Sequence, residues 1–345
     1  MDDPSLPQFS LSVLDQSPIS EGSTGAEALR RSVDLAQFTE TLGYRRYWVA
    51  EHHGTPMLAC ASPEVLIGAI AAATSRIRVG SGGVMLPHYS PLKVAETFSM
   101  LAGLHPDRID LGLGRAAGTD PTTTLALQRD RRQLSPDDFP QQLAELLAYL
   151  TDQMPTDHPF ARLSLLPGRP ERPEAWLLGS SAQSGIWAAE TGLPYAFADF
   201  INPLGAAIVA DYRKHFATGG YWPRPRVIVA ATVICAETDE EARLLSASSR
   251  MLFTLLRQGK LLPVPPVEKA LRFFAEQGLS PEGMPPGRRA IVGSPITVRR
   301  DIEALAAEYE ADEVMIVTIT YDHAARRRSY ELVAQAFGVA PAPGV

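Results

Sequence analysis

The chain has 345 residues, of which 45% are hydrophobic and 21% are charged, which is typical of a globular protein. The formal net charge is -7 and the main basic run is Arg326-Arg327-Arg328, so nucleic acid is not expected as a partner. No apolar run reaches the roughly 18 residues of a membrane helix, and no apolar signal segment begins the sequence. With two distant cysteines, Cys60 and Cys235, these features predict a cytoplasmic protein with reduced thiols that does not span a membrane.

The first third of the chain alternates predicted strands with predicted helices. The strands are the apolar runs at residues 9–14, 47–50, 77–86 and 109–116, and the last two of them are rich in glycine. The helices are residues 26–42, residues 65–74, and a segment opened by Ser90-Pro91, where serine suits the cap and proline the first turn. The helix at residues 65–74 is apolar on all sides, which indicates a subunit interface.

The rest of the chain repeats the alternation with two interruptions. Residues 118–140 are rich in Thr, Asp and Arg, and after a helix at 141–150 the excursion continues through the proline-rich residues 151–173. A second excursion, residues 260–293, is predicted to be a lid or insertion. The remaining strands are predicted at residues 175–178, 195–198, 227–235 and 314–320, with helices after each of them.

Eight strands that alternate with helices predict a (β/α)8 TIM barrel, an α/β fold, with insertions after strands 4 and 7 and a single domain over residues 1–345. A doubly wound open sheet is the alternative architecture. It is disfavoured because no Gly-x-Gly-x-x-Gly follows the first strand, and because eight units close into a barrel more readily than six.

In a barrel, residues just after the strands share the face that carries the chemistry. The residues predicted to meet there follow strands two to six: Glu51, His52, His53, Gly82, Gly83, Arg115, Ser180, Ser181 and Asp199. The two histidines suggest a metal pair, but neighbours on a strand point to opposite sides and no cysteine cluster accompanies them. No metal site is therefore predicted, and at least one of the two histidines is expected to be functional.

Arg115 and the serine-rich helix start at residues 180–184 suggest a phosphate site. Free amides at a helix start together with serine hydroxyls bind phosphate well, and an arginine on the neighbouring strand adds a bidentate contact. The alternatives remain open: an arginine of this kind often pairs with a structural carboxylate, and serines at a helix start are often only caps.

Taken together, these residues resemble the bacterial luciferase-like flavin monooxygenases, close to the alkanal monooxygenase alpha chain. The resemblance spans residues 9–337 and rests on the order and spacing of several motifs, each of which is weak alone. The motifs are Leu-Ser-Val-Leu-Asp-Gln-Ser-Pro at residues 11–18, the runs ending at His53, Pro87 and Arg115, Leu-Gly-Ser-Ser at 178–181, and Ala-Ala-Glu-Thr-Gly-Leu-Pro at 188–194.

The resemblance implies roles for individual residues. It implies that Arg115 and Ser180 bind the phosphate of FMN, with Ser181, Gln183 and Ser184 beside them, and that Gly82 and Gly83 form a non-prolyl cis peptide under the flavin ring. It implies a catalytic role at the reaction centre for His52 and for its neighbour Glu51. His52, with an ordinary pKa near neutrality, is expected to donate a hydrogen bond or accept a proton. The family's aromatic residue after strand six is replaced by Asp199, which leaves the substrate open.

The implied activity is oxygenation of a small organic substrate by reduced FMN and O2 through a C4a-hydroperoxide. A separate flavin reductase is expected to supply the reduced FMN, and residues 117–140 and 260–293 are expected to exclude water as a lid. A homodimer through helices 2 and 3 is expected. Three alternatives remain: an oxidoreductase that uses the deazaflavin F420, a flavin-binding protein without oxygenase activity, and a metal-dependent barrel hydrolase.

Overall fold

The computed structural model describes residues 9–115, 120–127, 138–163, 172–280 and 287–339. Its strands all pair in parallel within one sheet. They are β1 (Ser10–Asp15), β2 (Arg46–Val49), β3 (Arg78–Met85), β4 (Ile109–Gly114), β5 (Glu174–Gly179), β6 (Tyr195–Ala198), β7 (Val227–Cys235), β8 (Ala290–Gly293) and β9 (Glu313–Val317).

Helices follow the strands along the chain. They are α1 (Gly25–Leu42), α2 (Pro63–Ala73), α3 (Pro91–Leu104), α4 (Pro121–Leu127), α5 (Phe139–Thr151), α6 (Ala182–Thr191), α7 (Ala206–Lys214), α8 (Asp239–Leu256), α9 (Val267–Glu276), α10 (Pro295–Glu308) and α11 (His323–Phe337). Within the described ranges, no helix combines the length and the apolar character needed to cross a membrane.

The sheet closes into a barrel. Its strand order is β6-β5-β4-β3-β2-β1-β9-β7-β8, and β6 also pairs with β7. The closed part therefore contains β1 to β7 and β9, and the predicted (β/α)8 barrel is confirmed. The continuous apolar runs of the sequence form these strands because a parallel barrel buries both faces of each strand.

One strand was not predicted. β8 lies inside residues 260–293, where an insertion was expected, and it pairs only with β7, from Thr232↔Ala290 to Cys235↔Gly293. Short β6 covers β7 only from Val227 to Ala230. The remaining part of that long strand can therefore accept β8 as an additional partner. The same segment also contains α9, so the expected insertion includes a helix as well as a strand.

The first predicted excursion is also partly helical. Within residues 118–140, the structure forms α4 and begins α5 at Phe139, two residues before the predicted start. Residues 118–119 and 128–137 of this excursion lie outside the described residues. So do residues 164–171 and 281–286 of the two other proline-rich segments.

Apolar side chains fill the inside of the barrel as well as the layer between strands and helices. The interior includes Leu14, Trp48, Trp176, Ile228 and Met315, and the two tryptophan rings meet edge to face with centroids 5.7 Å apart. The barrel is therefore a packed core whose free space lies only at its ends.

The N-terminal end of the barrel is closed by buried ion pairs. The guanidinium of Arg46 is fully buried, and its nitrogens lie 2.8 Å from Asp110, 3.0 Å from Glu313 and 3.1 Å from Glu174. The indole nitrogen of Trp48 also donates to Asp110, at 2.8 Å. Because every one of these charges is paired, this end is a structural plug, and the chemistry is expected at the other end.

Candidate functional site

A cavity of about 470 Å³ opens at the C-terminal ends of the strands. Residues that follow β1, β2, β6 and β9 line it together with the second half of α8. Its polar lining includes Gln16, His52, His53, Asp120 and Arg288; its apolar lining includes Met57, Leu58, Phe200, Ile201, Leu252, Phe253, Leu256, Leu261 and Ile319. A predominantly apolar cavity with a few polar groups is typical of a small-molecule site.

A wider cleft of about 850 Å³ lies at the opposite end of the barrel, beside Arg78, Glu174 and Trp222. We assign the functional site to the smaller cavity for two reasons. Two charged residues of the wider cleft, Arg78 and Glu174, belong to the ion pairs that close this end of the barrel. The smaller cavity also lies at the strand ends, where barrel enzymes have their active sites, and of the candidate residues His52 and His53 line it.

His52 lies in the cavity wall, as predicted. Its backbone amide donates to the carbonyl of Cys60 at 2.9 Å, which fixes the loop after β2. Its side chain is half-buried, and the buried Nδ1 atom has no hydrogen-bond partner among the residues that the structure describes. Such an orphaned polar atom beside a cavity indicates a place for a ligand group.

The expected near-neutral pKa of His52 is wrong. Burial, together with the nearby His53, lowers the pKa of His52 to about 4. The imidazole is therefore neutral at physiological pH and offers one N–H donor and one acceptor nitrogen, without a positive charge.

Glu51 is fully buried and holds the loop that leads out of β3. Its Oε2 accepts from the amide of Met85 at 2.9 Å, and its Oε1 accepts from the hydroxyl of Tyr89 at 2.9 Å. Nε2 of His53 lies 2.7 Å from the same Oε1. Glu51 thus connects β2, β3 and the segment before α3 beside the reaction cavity, which is the geometry of a positioning residue.

Gly82 and Gly83 form a cis peptide bond in β3. A Cβ atom at Gly82 would collide with Leu14 in the barrel interior, and one at Gly83 would lie 2.7 Å from the carbonyl oxygen of Gly112. The pairing of β3 with β4 shifts between Ser81 and Val84, around the cis bond. The two glycines thus give this part of the barrel end a wall of bare backbone, against which a flat group can lie closely.

Helix α6 begins with a capping box formed by Ser181 and Ser184. The hydroxyl of Ser184 donates to the carbonyl of Ser181 at 2.7 Å and lies 2.8 Å from the hydroxyl of Tyr195. Ser184 is therefore buried and bonded inside the protein. The amides of Ala182 and Gln183 precede the first intrahelical hydrogen bond, from Gly185 to Ser181, and can bind an anion.

Arg115 follows β4 and lies beside α6. Its guanidinium is over the ring of Trp187 on that helix, 5.5 Å from the ring centroid. Because β4 and β5 pair as neighbours, up to Leu113↔Leu177, Arg115 and Ser180 follow adjacent strands. The structure thus brings the predicted phosphate residues to one region, with Ser180, Ser181 and Gln183 at the helix start and Ser184 beneath it.

Asp199 does not line the cavity, contrary to expectation. It is fully buried and accepts from Nε of Arg289 at 3.0 Å and from the hydroxyl of Tyr309 at 2.8 Å. The next residue, Phe200, lines the cavity. The aromatic side chain after β6 is therefore present, one position further along the chain than the predicted match.

Sequence reasoning missed the contribution of α8 and of Arg288. The second half of α8 contains Met251, Leu252, Phe253 and Leu255 in close succession, which covers more than one face of the helix. Met251 and Leu255 pack against α9, whereas Leu252 and Phe253 face the cavity. An apolar run on all sides of a predicted amphipathic helix was the available signal.

No group of three or more His, Cys, Asp or Glu side chains is arranged to hold a metal ion in the described part of the chain. His53, the second member of the predicted pair, also lines the cavity, but its Nε2 is bonded to Glu51. The polar groups that remain in the site are suited to an organic ligand.

Comparison with solved structures finds the same fold in other proteins. The crystal structure of apo-MsnO8 is similar with a TM-score of 0.87 and 42% identity, over 97% of this chain and 100% of that chain. At 21% identity and a TM-score of 0.72, over 96% and 98% of the two chains, the fold matches the oxygenating constituent of 3,6-diketocamphane monooxygenase of Pseudomonas putida, solved with FMN. An F420-dependent secondary alcohol dehydrogenase shares the fold at 12% identity and a TM-score of 0.65, over 95% and 99% of the two chains.

Sequence comparison is more specific. A family model described as luciferase-like monooxygenase matches residues 9–313. The chain is 40% identical to a luciferase-like monooxygenase of Escherichia coli, over 94% of this chain and 96% of the relative. It is 36% identical to N-acetyl-S-alkylcysteine monooxygenase of Bacillus subtilis, over 94% and 97% of the two chains. The chain therefore belongs to the luciferase-like monooxygenase family.

Proposed function

We propose that this protein is a flavin-dependent monooxygenase that uses reduced FMN and O2 to oxygenate a small organic substrate. The observation that carries the proposal is the neutral imidazole of His52, whose buried Nδ1 lacks a partner among the described residues, in the wall of an apolar cavity at the barrel end. The relatives named as monooxygenases support the reaction type. One of them has a small organic molecule in its name, and a cavity of about 470 Å³ suits a substrate of that size.

The residues of the barrel end fit FMN. The bare backbone of Gly82 and Gly83 would be the surface against which the flat ring system lies, and a side chain at either position would collide with the barrel itself. The first amides of α6, the hydroxyls of Ser180 and Ser181, and the guanidinium of Arg115 would bind the phosphate group. Gln183, exposed in the first turn of α6, would contribute an amide and a polar side chain.

Reduced FMN, when bound, supplies the electrons for the activation of O2. The protein contributes binding, water exclusion and hydrogen bonding. Apolar side chains from α8 and the segment after it, among them Phe253 and Leu261, line the cavity and keep bulk water away. His52, held by its bond to Cys60 and by its place beside the Glu51 network, offers a neutral hydrogen-bonding nitrogen at the cavity surface.

The test is oxygen consumption with NADH and a separate FMN reductase as the source of reduced FMN, in the presence of small apolar thioethers, ketones or aldehydes. We expect uptake coupled to an oxygenated product. For His52→Ala we expect product formation to fall by about tenfold or more and hydrogen peroxide release to rise, because a hydrogen bond at the reaction centre is lost. Because the pKa of His52 is about 4, titration of this residue should not change the rate of product formation between about pH 6 and pH 8.

The matched control is His215→Ala, which removes an exposed histidine after α7, and it should leave both product and peroxide unchanged. Equal peroxide release with and without the protein, and no product from any substrate class, would count against the monooxygenase proposal. If His52→Ala and His215→Ala lose product to the same extent, the role assigned to His52 is wrong, while the monooxygenase proposal still stands.

We also propose a homodimer through α2 and α3. The outer face of α2 carries Val65, Ala69 and Ala72, and α3 exposes Met100 and Leu104 in its last turns. Val65 is 72% exposed and Leu104 is 71% exposed, which is costly unless a second copy covers them. Light scattering should give a mass of two chains, and the mass of one chain would contradict the proposal.

A further inference from the structure

Arg288 is a cation set into the apolar part of the cavity. It follows the segment after α9, and its guanidinium stacks on the ring of Phe253, with Cζ 4.6 Å from the centroid. Its Nη1 donates to the carbonyl oxygen of Phe200 at 3.2 Å. Both Phe200 and Phe253 line the cavity, as Arg288 does. The side chain is therefore held in one orientation by a flat aromatic face and a backbone carbonyl.

No carboxylate of the described residues pairs with Arg288; its neighbour Arg289, in contrast, pairs with Asp199 and Glu308. Burial, with a contribution from Arg257, lowers the pKa of Arg288 below its ordinary range, yet an arginine remains charged at neutral pH. A guanidinium in an apolar wall without an anionic protein partner is costly unless a ligand supplies the anion.

Other groups around the cavity do not neutralise Arg288. The carboxylate of Asp120 accepts from the amide of Thr122 at 2.8 Å and from the hydroxyl of Thr123 at 2.6 Å, so it caps α4. His52 is neutral, and Arg257 lowers the pKa of Arg288 and so does not neutralise it. Arg288 therefore places a positive charge in a cavity whose surface is mostly apolar.

We propose that the substrate carries a carboxylate on an apolar body and that Arg288 binds this carboxylate. One N–H of the guanidinium is used by Phe200, and the edge that remains can form the paired hydrogen bonds that arginine makes with carboxylates. The apolar body would lie against Leu252, Leu256 and Ile319, with its far end toward His52. Arg288 is thus a specificity-determining residue. Carboxylate binding by Arg288 does not depend on the proposed function. Only the position at which the substrate would be oxygenated rests on it.

The phosphate of FMN is the other anion that Arg288 could bind, because Asn202, two residues after Phe200, donates to the carbonyl of Ser180 at 2.9 Å. The carboxylate is favoured because Arg288 stands among apolar cavity residues, whereas the first amides of α6 and Arg115 already provide a phosphate site. The experiment therefore measures both ligands.

The probes are octanoate and its neutral counterpart octanamide, titrated by calorimetry into protein saturated with oxidised FMN. We expect wild type to bind octanoate about tenfold or more tightly than octanamide, the scale of one charge-assisted hydrogen-bonded pair. Arg288→Met, which keeps the stacking bulk, should abolish this preference and leave the affinity for FMN unchanged. Arg300→Met, which removes an exposed arginine of α10, should change neither quantity.

Equal binding of the two probes by wild type would overturn the inference whatever the variants do. So would a preference for octanoate that persists in Arg288→Met. A loss of FMN affinity in Arg288→Met would show that the arginine binds the phosphate instead. Failure of the proposed function looks different: FMN would not bind to wild type, and the octanoate preference would then be measured on the protein without FMN.

Discussion

Replacing Asp15 with alanine is expected to lower the free energy of unfolding by about 3 to 5 kcal/mol. Asp15 ends β1 and is fully buried, and its Oδ1 accepts from Nη2 of Arg326 at 2.6 Å. Its other oxygen accepts from the hydroxyl of Tyr47 at 2.5 Å. Without the carboxylate, Arg326 keeps its bond to the carbonyl of Thr318 but has no anionic partner among the described residues. Denaturant unfolding of wild type and variant measures the difference.

Asp34→Ala is the matched control. Asp34 pairs with Arg327, the residue next to Arg326, and with His323, but Asp34 is 45% exposed, so the loss should be about 1 kcal/mol or less. If the two variants lose the same free energy, burial is not what makes the Asp15 pair important.

The same pair predicts a pH dependence. Burial alone would raise the pKa of Asp15, but the charge of Arg326 and hydrogen bonds from neighbours such as Tyr47 outweigh it, so the pKa lies below its ordinary value. The stabilisation is therefore complete above the pKa of the unfolded carboxyl, about 3.9, and is lost as the pH falls through the lower folded value. The difference between wild type and Asp15→Ala should be constant near neutral pH and shrink below about pH 4. A difference that grows in acid would contradict the assignment.

Glu51→Ala is expected to lower the free energy of unfolding by about 2 to 4 kcal/mol, because it removes the acceptor of three buried or half-buried groups. These are the amide of Met85, the hydroxyl of Tyr89 and the ring nitrogen of His53. The control is Glu303→Ala, which removes an exposed helix pair with Arg299 and should cost about 0.5 kcal/mol or less. A loss for Glu51→Ala as small as that of the control would mean that the network is not stabilising.

Glu51→Gln separates positioning from proton transfer. Glutamine keeps an acceptor oxygen for the loop after β3 but cannot exchange a proton in the way a carboxylate does. We expect oxygenation within a few-fold of wild type, with a modest loss of stability. A large loss of oxygenation with unchanged stability would make Glu51 a catalytic residue.

Much of the barrel was predictable because most of its strands are largely apolar runs, which can be recognised without distant information. β8 was not, because Ala290–Gly293 is only four residues long and follows a proline-rich segment with no periodicity. It becomes a strand only because β7 is longer than its neighbour β6. Pairing of that kind depends on the assembled sheet.

The candidate site was predictable as a set of positions and less so as a set of side-chain environments. The strand ends correctly placed His52 in the cavity wall and Arg115 beside α6. Orientation after a strand end is not encoded in the pattern, so Asp199 was expected at the cavity, where the structure has Phe200. Arg288 lies 88 residues from its partner Phe200, and the low pKa of His52 arises from burial by residues distant in sequence. Neither follows from local spacing.

Titration of the purified protein with oxidised and reduced FMN, with F420 in parallel, on wild type and Arg115→Ala, is the most direct measurement. We expect wild type to bind FMN and Arg115→Ala to lose about 2 kcal/mol of binding free energy, the scale of one charge-assisted pair with the phosphate. Binding of F420 alone would contradict the monooxygenase proposal and indicate hydride transfer. Binding of neither would contradict the assignment of the barrel end to a flavin.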